Sequence, residues 1–114
     1  MPQDEELIAR MRAALEGHAG ISEKRMMGGT CFFLNGHMLS GARRDKDGLR
    51  RFMFRVGKAQ EAAALRNPAA RPVIQGARKL GGLVHVTHDE CDAKELQEWL
   101  HLCLTHAASL PPKS

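Results

Sequence analysis

The sequence predicts an α+β domain with an antiparallel sheet, because three patterns occur in a fixed order along its 114 residues. Amphipathic helical segments stand near both ends. Short apolar runs joined by turn residues lie between them, grouped as hairpins. An alanine-rich segment of high helix propensity separates two groups of strands. Strands grouped in hairpins between terminal helices are typical of this fold class, and the length suits a single domain over 1–114.

The first helix is predicted over 4–17. Acidic residues crowd its start, where the helix dipole favours anions. Gly17 is suited to the C-terminal cap. Apolar side chains recur on one face, as expected of a helix that packs on a core: Leu7, Met11, Ala14 and Leu15.

Glycines organise the first strands. Asn35-Gly36 separates two extended runs, 30–34 and 37–44, and Asn-Gly favours a type I′ hairpin because both residues need positive φ. Gly28-Gly29 follows a possible strand over 21–27. Two interpretations stay open for this pair: a bulge or tight change of direction, which is the commoner role, or a backbone that approaches a ligand or partner chain closely.

The second half of the chain repeats these signals. Residues 49–56 alternate as a half-buried strand, with Phe52 and Phe54 on one side. A helix over 58–66 is followed by an edge strand over 71–75. Gly76 and Gly81-Gly82 are predicted to flank a loop before a strand over 83–87. The last helix begins at a capping box, Asp92 and Glu95, and carries an apolar stripe: Leu96, Trp99, Leu100, Cys103, Leu104 and Ala107.

All the excess positive charge lies within 43–58. Seven cations and two carboxylates give this segment +5, whereas the whole chain carries +4. Cations at a hairpin can hold phosphates, although charge on a strand more often prevents association of sheet edges. The candidate contacts to an anionic partner are Arg43, Arg44, Lys46, Arg50 and Arg51.

No catalytic, metal or cofactor site is predicted. Cys31 lies among apolar residues, where a thiol is inert, and three widely spaced cysteines favour reduced thiols over disulfides. His85, His88 and Cys91 are spaced by three residues, but the histidines are expected at the exposed end of a strand, and zinc sites normally show two close ligand pairs. The acidic N-terminus and the lack of a long apolar run indicate a cytoplasmic protein without a membrane partner.

Four segments in order resemble the N-terminal domain of TfoX/Sxy proteins: RMMGGTCFFLNGHM, DGLRRFMFRVG, ARPVIQGARKLGGLVHV and LQEWLHLCLTHAASLPPK. The resemblance implies the order helix, three strands, helix, two strands, helix, similar to secretion chaperones, whereas the residues alone allow three or four strands before the middle helix. Longer members regulate natural competence and are thought to act with the cyclic-AMP receptor protein at promoters. The matching signature positions, whose role looks structural, are Arg25, Gly28, Gly29, Asn35 and Gly36.

These observations predict a non-enzymatic regulatory or protein-interaction domain, with a possible protein partner in transcription regulation. The alternative is a nucleic-acid-binding module that uses the basic hairpin 43–58. A third possibility is a small enzyme or ligand-binding protein near Gly28-Gly29, which a buried pocket lined by polar groups would support.

A two-fold homodimer is also predicted. Apolar residues stand on both faces of the strands, as in Phe32 against Cys31 and Phe33, whereas a one-sided sheet should be polar outside. Two alternatives stay open for what covers the outer face: a second copy of the chain or the middle helix.

Overall fold

The computed structural model describes residues 4–26, 28–45 and 47–111. It contains three α-helices and six strands in these residues. In chain order these are α1 (Glu5–Ala14), β1 (Ile21–Met26), β2 (Gly29–Leu34), β3 (His37–Arg44), β4 (Arg50–Arg55), α2 (Lys58–Leu65), β5 (Ala70–Gln75), β6 (Arg78–Thr87) and α3 (Ala93–Ala108). A short 3₁₀ turn, His88–Glu90, joins β6 to α3.

The strands form one antiparallel sheet in the order β1-β2-β3-β4-β6-β5, which confirms the α+β class. Four strands precede α2, so the three-strand order implied by the resemblance is one strand short. The extra strand is β1, which pairs with β2 through Met26 and Gly29. Gly28 has φ +77° between these two residues, so the glycine pair marks a hairpin turn rather than a bulge.

The second hairpin follows its Asn-Gly signal. Asn35 has φ +50° and Gly36 has φ +85°, and Leu34 pairs with His37 on either side of them. Both positive φ values are those that a type I′ turn requires. The backbone N–H of Asn35 also donates to the carbonyl of Gly20, which ties this turn to the loop before β1.

The helices cover one face of the sheet. Phe52 and Phe54 of β4 are fully buried there, and Phe54 stacks on Trp99 of α3 with ring centroids 5.3 Å apart. Met11 of α1 receives a hydrogen bond from the buried hydroxyl of Ser40. The alternation of strand side chains therefore places the neighbours of the buried phenylalanines, such as Met53, on the opposite, helix-free face.

The starts of α1 and α3 follow the predicted signals, whereas α1 ends at Ala14 with Leu15 as its C-cap and not at Gly17 as expected. The carboxylate of Asp4 accepts the backbone N–H of Leu7, and Asp92 and Glu95 form the complete capping box. The middle helix, α2, packs against β5 and β6 and contributes Ala64 to the core. It therefore does not cover the outer face of β2 and β3.

The last strand also differs from the prediction. The expected loop over 76–82 is wrong, because β6 begins at Arg78 and pairs with β5. The pairing passes from Pro72 with Val84 to Val73 with Leu80, so β6 holds three residues between two adjacent residues of β5. Gly82 has φ +81° at this irregularity. Glycine is unusual inside strands, and here it allows the strand to change direction.

No helix among the described residues is both long and apolar enough to cross a bilayer. The three cysteines are free, as predicted, and each is buried.

Candidate ligand-binding cavity

A cavity of about 540 Å³ lies on the helix-free face. Its floor is built from two rows of residues that the strand pairing aligns across the sheet. One row runs Cys31, Gly41, Met53, His85 from β2 to β6, and the next runs Gly29, Arg43, Arg51 from β2 to β4. The volume lies within the usual range for small-molecule sites.

The tip of the β5–β6 hairpin forms a wall. This wall consists of Val73, Ile74, Gln75, Gly76 and Leu80. It reaches the floor residues of β2 and β3 although β5 is the edge strand on the other side of the sheet. The irregularity at Gly82 allows the tip to reach over the sheet.

The rim exposes apolar surface. Ile74 is 61% exposed and Met26 is 37% exposed, and these are the large apolar side chains that stand out at the described surface. Both line the cavity, from opposite edges of the sheet. Exposed apolar residues gathered around a concavity are typical of binding sites.

The charged groups of the cavity are arginines. Asp45 follows β3 and bridges Arg43 and Arg51, with 2.5 Å between Arg43 Nε and Asp45 Oδ1 and a second ion pair to Arg51 Nη1. The Nε of Arg51 is buried and has no hydrogen-bond partner among the described residues.

His85 completes the polar part of the floor. Its Nδ1 is buried and also lacks a hydrogen-bond partner in the described chain. Burial lowers the pKa of His85, and the nearby Arg51 lowers it further, so the imidazole is neutral at pH 7. The expectation that His85 and His88 sit exposed at a strand end is wrong. The side chain of His88 is only 15% exposed and its Nδ1 lies 2.7 Å from Arg10 Nη1.

Cys31 and His85 do not form a catalytic pair. They stand at opposite ends of one floor row, three strand spacings apart, which is about 14 Å. Burial also raises the pKa of the Cys31 thiol. A nucleophilic cysteine needs a base within hydrogen-bond reach. The Cys31 thiol is too far from His85 for such a bond, and its raised pKa makes the reactive thiolate harder to form.

The arginines of the basic hairpin contact two different regions of the protein. Arg43 and Arg51 line the cavity, whereas Arg44 and Arg50 contact Asp4 at the start of α1. Arg50 also pairs with Glu6. Lys46 lies outside the described residues. Each of these four arginines therefore has a carboxylate partner, so they present less net charge than the sequence indicates.

Most of the signature residues lie in turns, where they shape the backbone, or on an exposed strand. Arg25 is exposed on β1 opposite Thr30, and Gly28, Asn35 and Gly36 shape turns. Gly29 differs, because it lines the cavity and packs tightly at the same time. A Cβ built at Gly29 would lie 2.4 Å from the carbonyl oxygen of Ala42.

Among the described residues, no group of three His, Cys, Asp or Glu side chains is placed to hold a metal ion. Comparisons with protein-family models, with curated proteins and with solved structures find no match to this chain. The resemblance to the TfoX/Sxy domain therefore stays a prediction.

Proposed function

We propose that this chain is a non-enzymatic regulatory domain that binds a small organic molecule in the cavity on its helix-free face. The observation that carries the proposal is a coincidence of position. Among the described residues, the exposed large apolar side chains of Met26 and Ile74 belong to one concave site, together with Arg51 and His85, each of which has a buried nitrogen without a partner there. Apolar walls with a few convergent polar groups are the usual composition of a ligand site.

The chemistry of the lining favours binding over catalysis. Its thiol, on Cys31, is buried with a raised pKa and stands about 14 Å from the imidazole. A regulatory role also agrees with the resemblance to competence regulators.

Gly41 offers a direct test, because it lies in the middle of the floor. A Cβ at this position would meet Cys31 Sγ and Met53 Cε at 3.5 Å, which is ordinary van der Waals contact. Gly41→Ala should therefore keep the site, whereas Gly41→Leu should extend a side chain into it. Saturation-transfer NMR with a fragment library should detect ligands for the wild type and Gly41→Ala and lose them with Gly41→Leu. Equal fragment binding by all three proteins would contradict the proposal.

The nucleic-acid alternative has weaker support, because the carboxylates of Asp4, Glu6 and Asp45 pair with the arginines of the hairpin. Fluorescence anisotropy with a labelled DNA duplex tests it. Binding tighter than the non-specific range of about 10⁻⁴ to 10⁻⁶ M, with a steep dependence on salt, would restore this alternative.

The homodimer remains part of the proposal. Phe33 and Met38 form a half-buried apolar pair on the helix-free face, near the β2–β3 turn and outside the cavity lining. The middle helix packs on β5 and β6 instead, which removes the alternative cover considered for this face. A second copy across a two-fold axis is the occupant proposed for the Phe33–Met38 surface.

A further inference from the structure

Resting on the proposed function, we infer that the cavity takes an organic anion, meaning a molecule with an apolar body and one carboxylate, sulfonate or phosphate group. Three features of the site support this ligand class: the signs of the lining charges, their position relative to the apolar surface, and the carboxylate of Asp45 that two lining arginines already share.

The lining is positive. It includes the guanidinium groups of Arg43 and Arg51, while the described lining contains no aspartate or glutamate. Arg71 adds a third positive charge nearby, because it pairs with His85 in the sheet. A cationic ligand would face these guanidinium groups, so the field of the site selects against it.

Charged and apolar groups occupy different parts of the floor. The arginines stand in one cross-strand row, whereas Cys31, Gly41 and Met53 stand in the next. Leu80 and Val73 of the hairpin tip complete the apolar side. A ligand that is charged at one end and apolar at the other can therefore satisfy both parts in a single orientation.

Asp45 shows that the two arginines can share one carboxylate. It is bonded to Arg43 Nε and Arg51 Nη1, and its side chain is only 12% exposed. One carboxylate against two guanidinium groups leaves a net charge of +1. The Arg51 side chain lines the cavity and is 29% exposed, so its guanidinium group remains available to a second anion, and the imidazole of His85 lines the same floor as a further hydrogen-bonding group.

A matched pair of fluorescent probes tests the ligand class. Anilinonaphthalene sulfonate is an anion, and phenylnaphthylamine has the same aromatic skeleton without the sulfonate. Both become fluorescent in an apolar site. We expect the sulfonate to bind the wild type about tenfold more tightly, since a hydrogen bond to a charged group contributes at least that factor.

Arginine variants show whether this preference comes from the cavity. Arg51→Met should bring the two dissociation constants to within about twofold of each other, because it removes a guanidinium group from the cavity lining. Arg55→Met is the control, since Arg55 lies on the same strand and the same face but does not line the cavity. It should keep the full preference. Chemical denaturation of both variants establishes that each is folded.

The outcomes separate this inference from the proposed function. Equal binding of both probes to the wild type, abolished by Gly41→Leu, would overturn the anion preference and leave the cavity as a binding site. An anion preference that survives in Arg51→Met would also overturn the inference. Binding of both probes that is unaffected by Gly41→Leu would overturn the inference and the proposed function together.

Discussion

Arg51 of β4 and His85 of β6 are diagonal neighbours on one face of the sheet, because Arg51 pairs with Thr87 and His85 pairs with Met53, two residues further along. Each keeps a buried nitrogen without a hydrogen-bond partner in the described residues. Buried polar atoms in native proteins are nearly always hydrogen-bonded. The two side chains also line the same cavity. A bound molecule that hydrogen-bonds to these side chains would supply partners that the described residues do not, so this pair marks the expected binding position.

The burial of His85 predicts a stability that falls on mild acidification. Burial lowers the pKa of His85 from its ordinary value of 6.5. As the pH drops through 6.5, the unfolded chain takes up a proton that the folded chain does not, so the free energy of unfolding decreases. His88 and His106 act in the same direction, because burial lowers the pKa of each.

Urea denaturation between pH 8 and pH 5 measures this effect. His85→Gln should reduce the slope of stability against pH without abolishing it, since the other two histidines remain. His18→Gln, at an exposed position, is the control for the substitution itself. A slope unchanged by His85→Gln would contradict the account of this imidazole.

Asp4 should contribute strongly to stability because its carboxylate is buried and paired. Its carboxylate is 3% exposed, caps α1 through Leu7 and accepts hydrogen bonds from Arg50 and Arg44. The hydrogen bond from Arg50 is the main reason that the pKa of Asp4 falls to about 2. Asp4→Asn keeps a capping oxygen and removes the charge, so it should cost about 2 kcal/mol at pH 6.

This contribution has a defined pH window. A lowered pKa means that the stabilisation is complete above the ordinary value of 3.8 and is lost as the pH falls to about 2. The difference between wild type and Asp4→Asn should therefore shrink towards zero by pH 2. Glu23→Gln is the control, because its partner Arg12 is 57% exposed, and it should cost less than about 0.5 kcal/mol. Equal costs for the two variants would refute this ranking.

Gly29 and Gly28 should differ in their response to alanine. A Cβ at Gly29 would lie 2.4 Å from a backbone oxygen, so the strands must separate to accommodate it. Gly28 has φ +77° but nothing within 4 Å of such a Cβ, so it should lose only about 1 kcal/mol. We expect Gly29→Ala to lower the urea midpoint more than Gly28→Ala, and Gly41→Ala to change it little. The reverse order would show that backbone conformation outweighs packing here.

The Phe33–Met38 surface should mediate self-association. Light scattering on a sizing column, across a dilution series, should give a dimer mass for the wild type. Phe33→Thr should shift the equilibrium towards monomer while keeping the fold, because Phe33 faces away from the main core. A monomer mass for the wild type at every concentration contradicts the dimer.

Much of the fold could be predicted because its signals are local. Asp92 and Glu95 cap α3 as their spacing indicates, Asn35-Gly36 makes the expected turn, and Phe52 and Phe54 alternate onto the core face. Each of these depends on residues within a few positions of one another. The residues alone do not decide whether β1 is a separate strand, because most of its side chains are exposed and polar and show little alternation.

The cavity could not be predicted because it depends on distant pairing. Cys31 and His85 share a row only through the order of four strands, and the hairpin tip reaches them only because β6 continues through Gly81-Gly82. Glycine pairs usually indicate a loop, and that signal was misleading here. The ion pair between Asp4 and Arg50 joins residues 46 positions apart, which no local pattern reveals.

The most direct test of the account is the location of a bound ligand. Amide chemical shifts of the isotope-labelled protein, recorded during titration with anilinonaphthalene sulfonate, report that location residue by residue. The account predicts saturable shifts centred on Gly41, Met53 and His85, with little change along α3, and their loss in Gly41→Leu. Shifts centred elsewhere, or shifts that persist in Gly41→Leu, would contradict it.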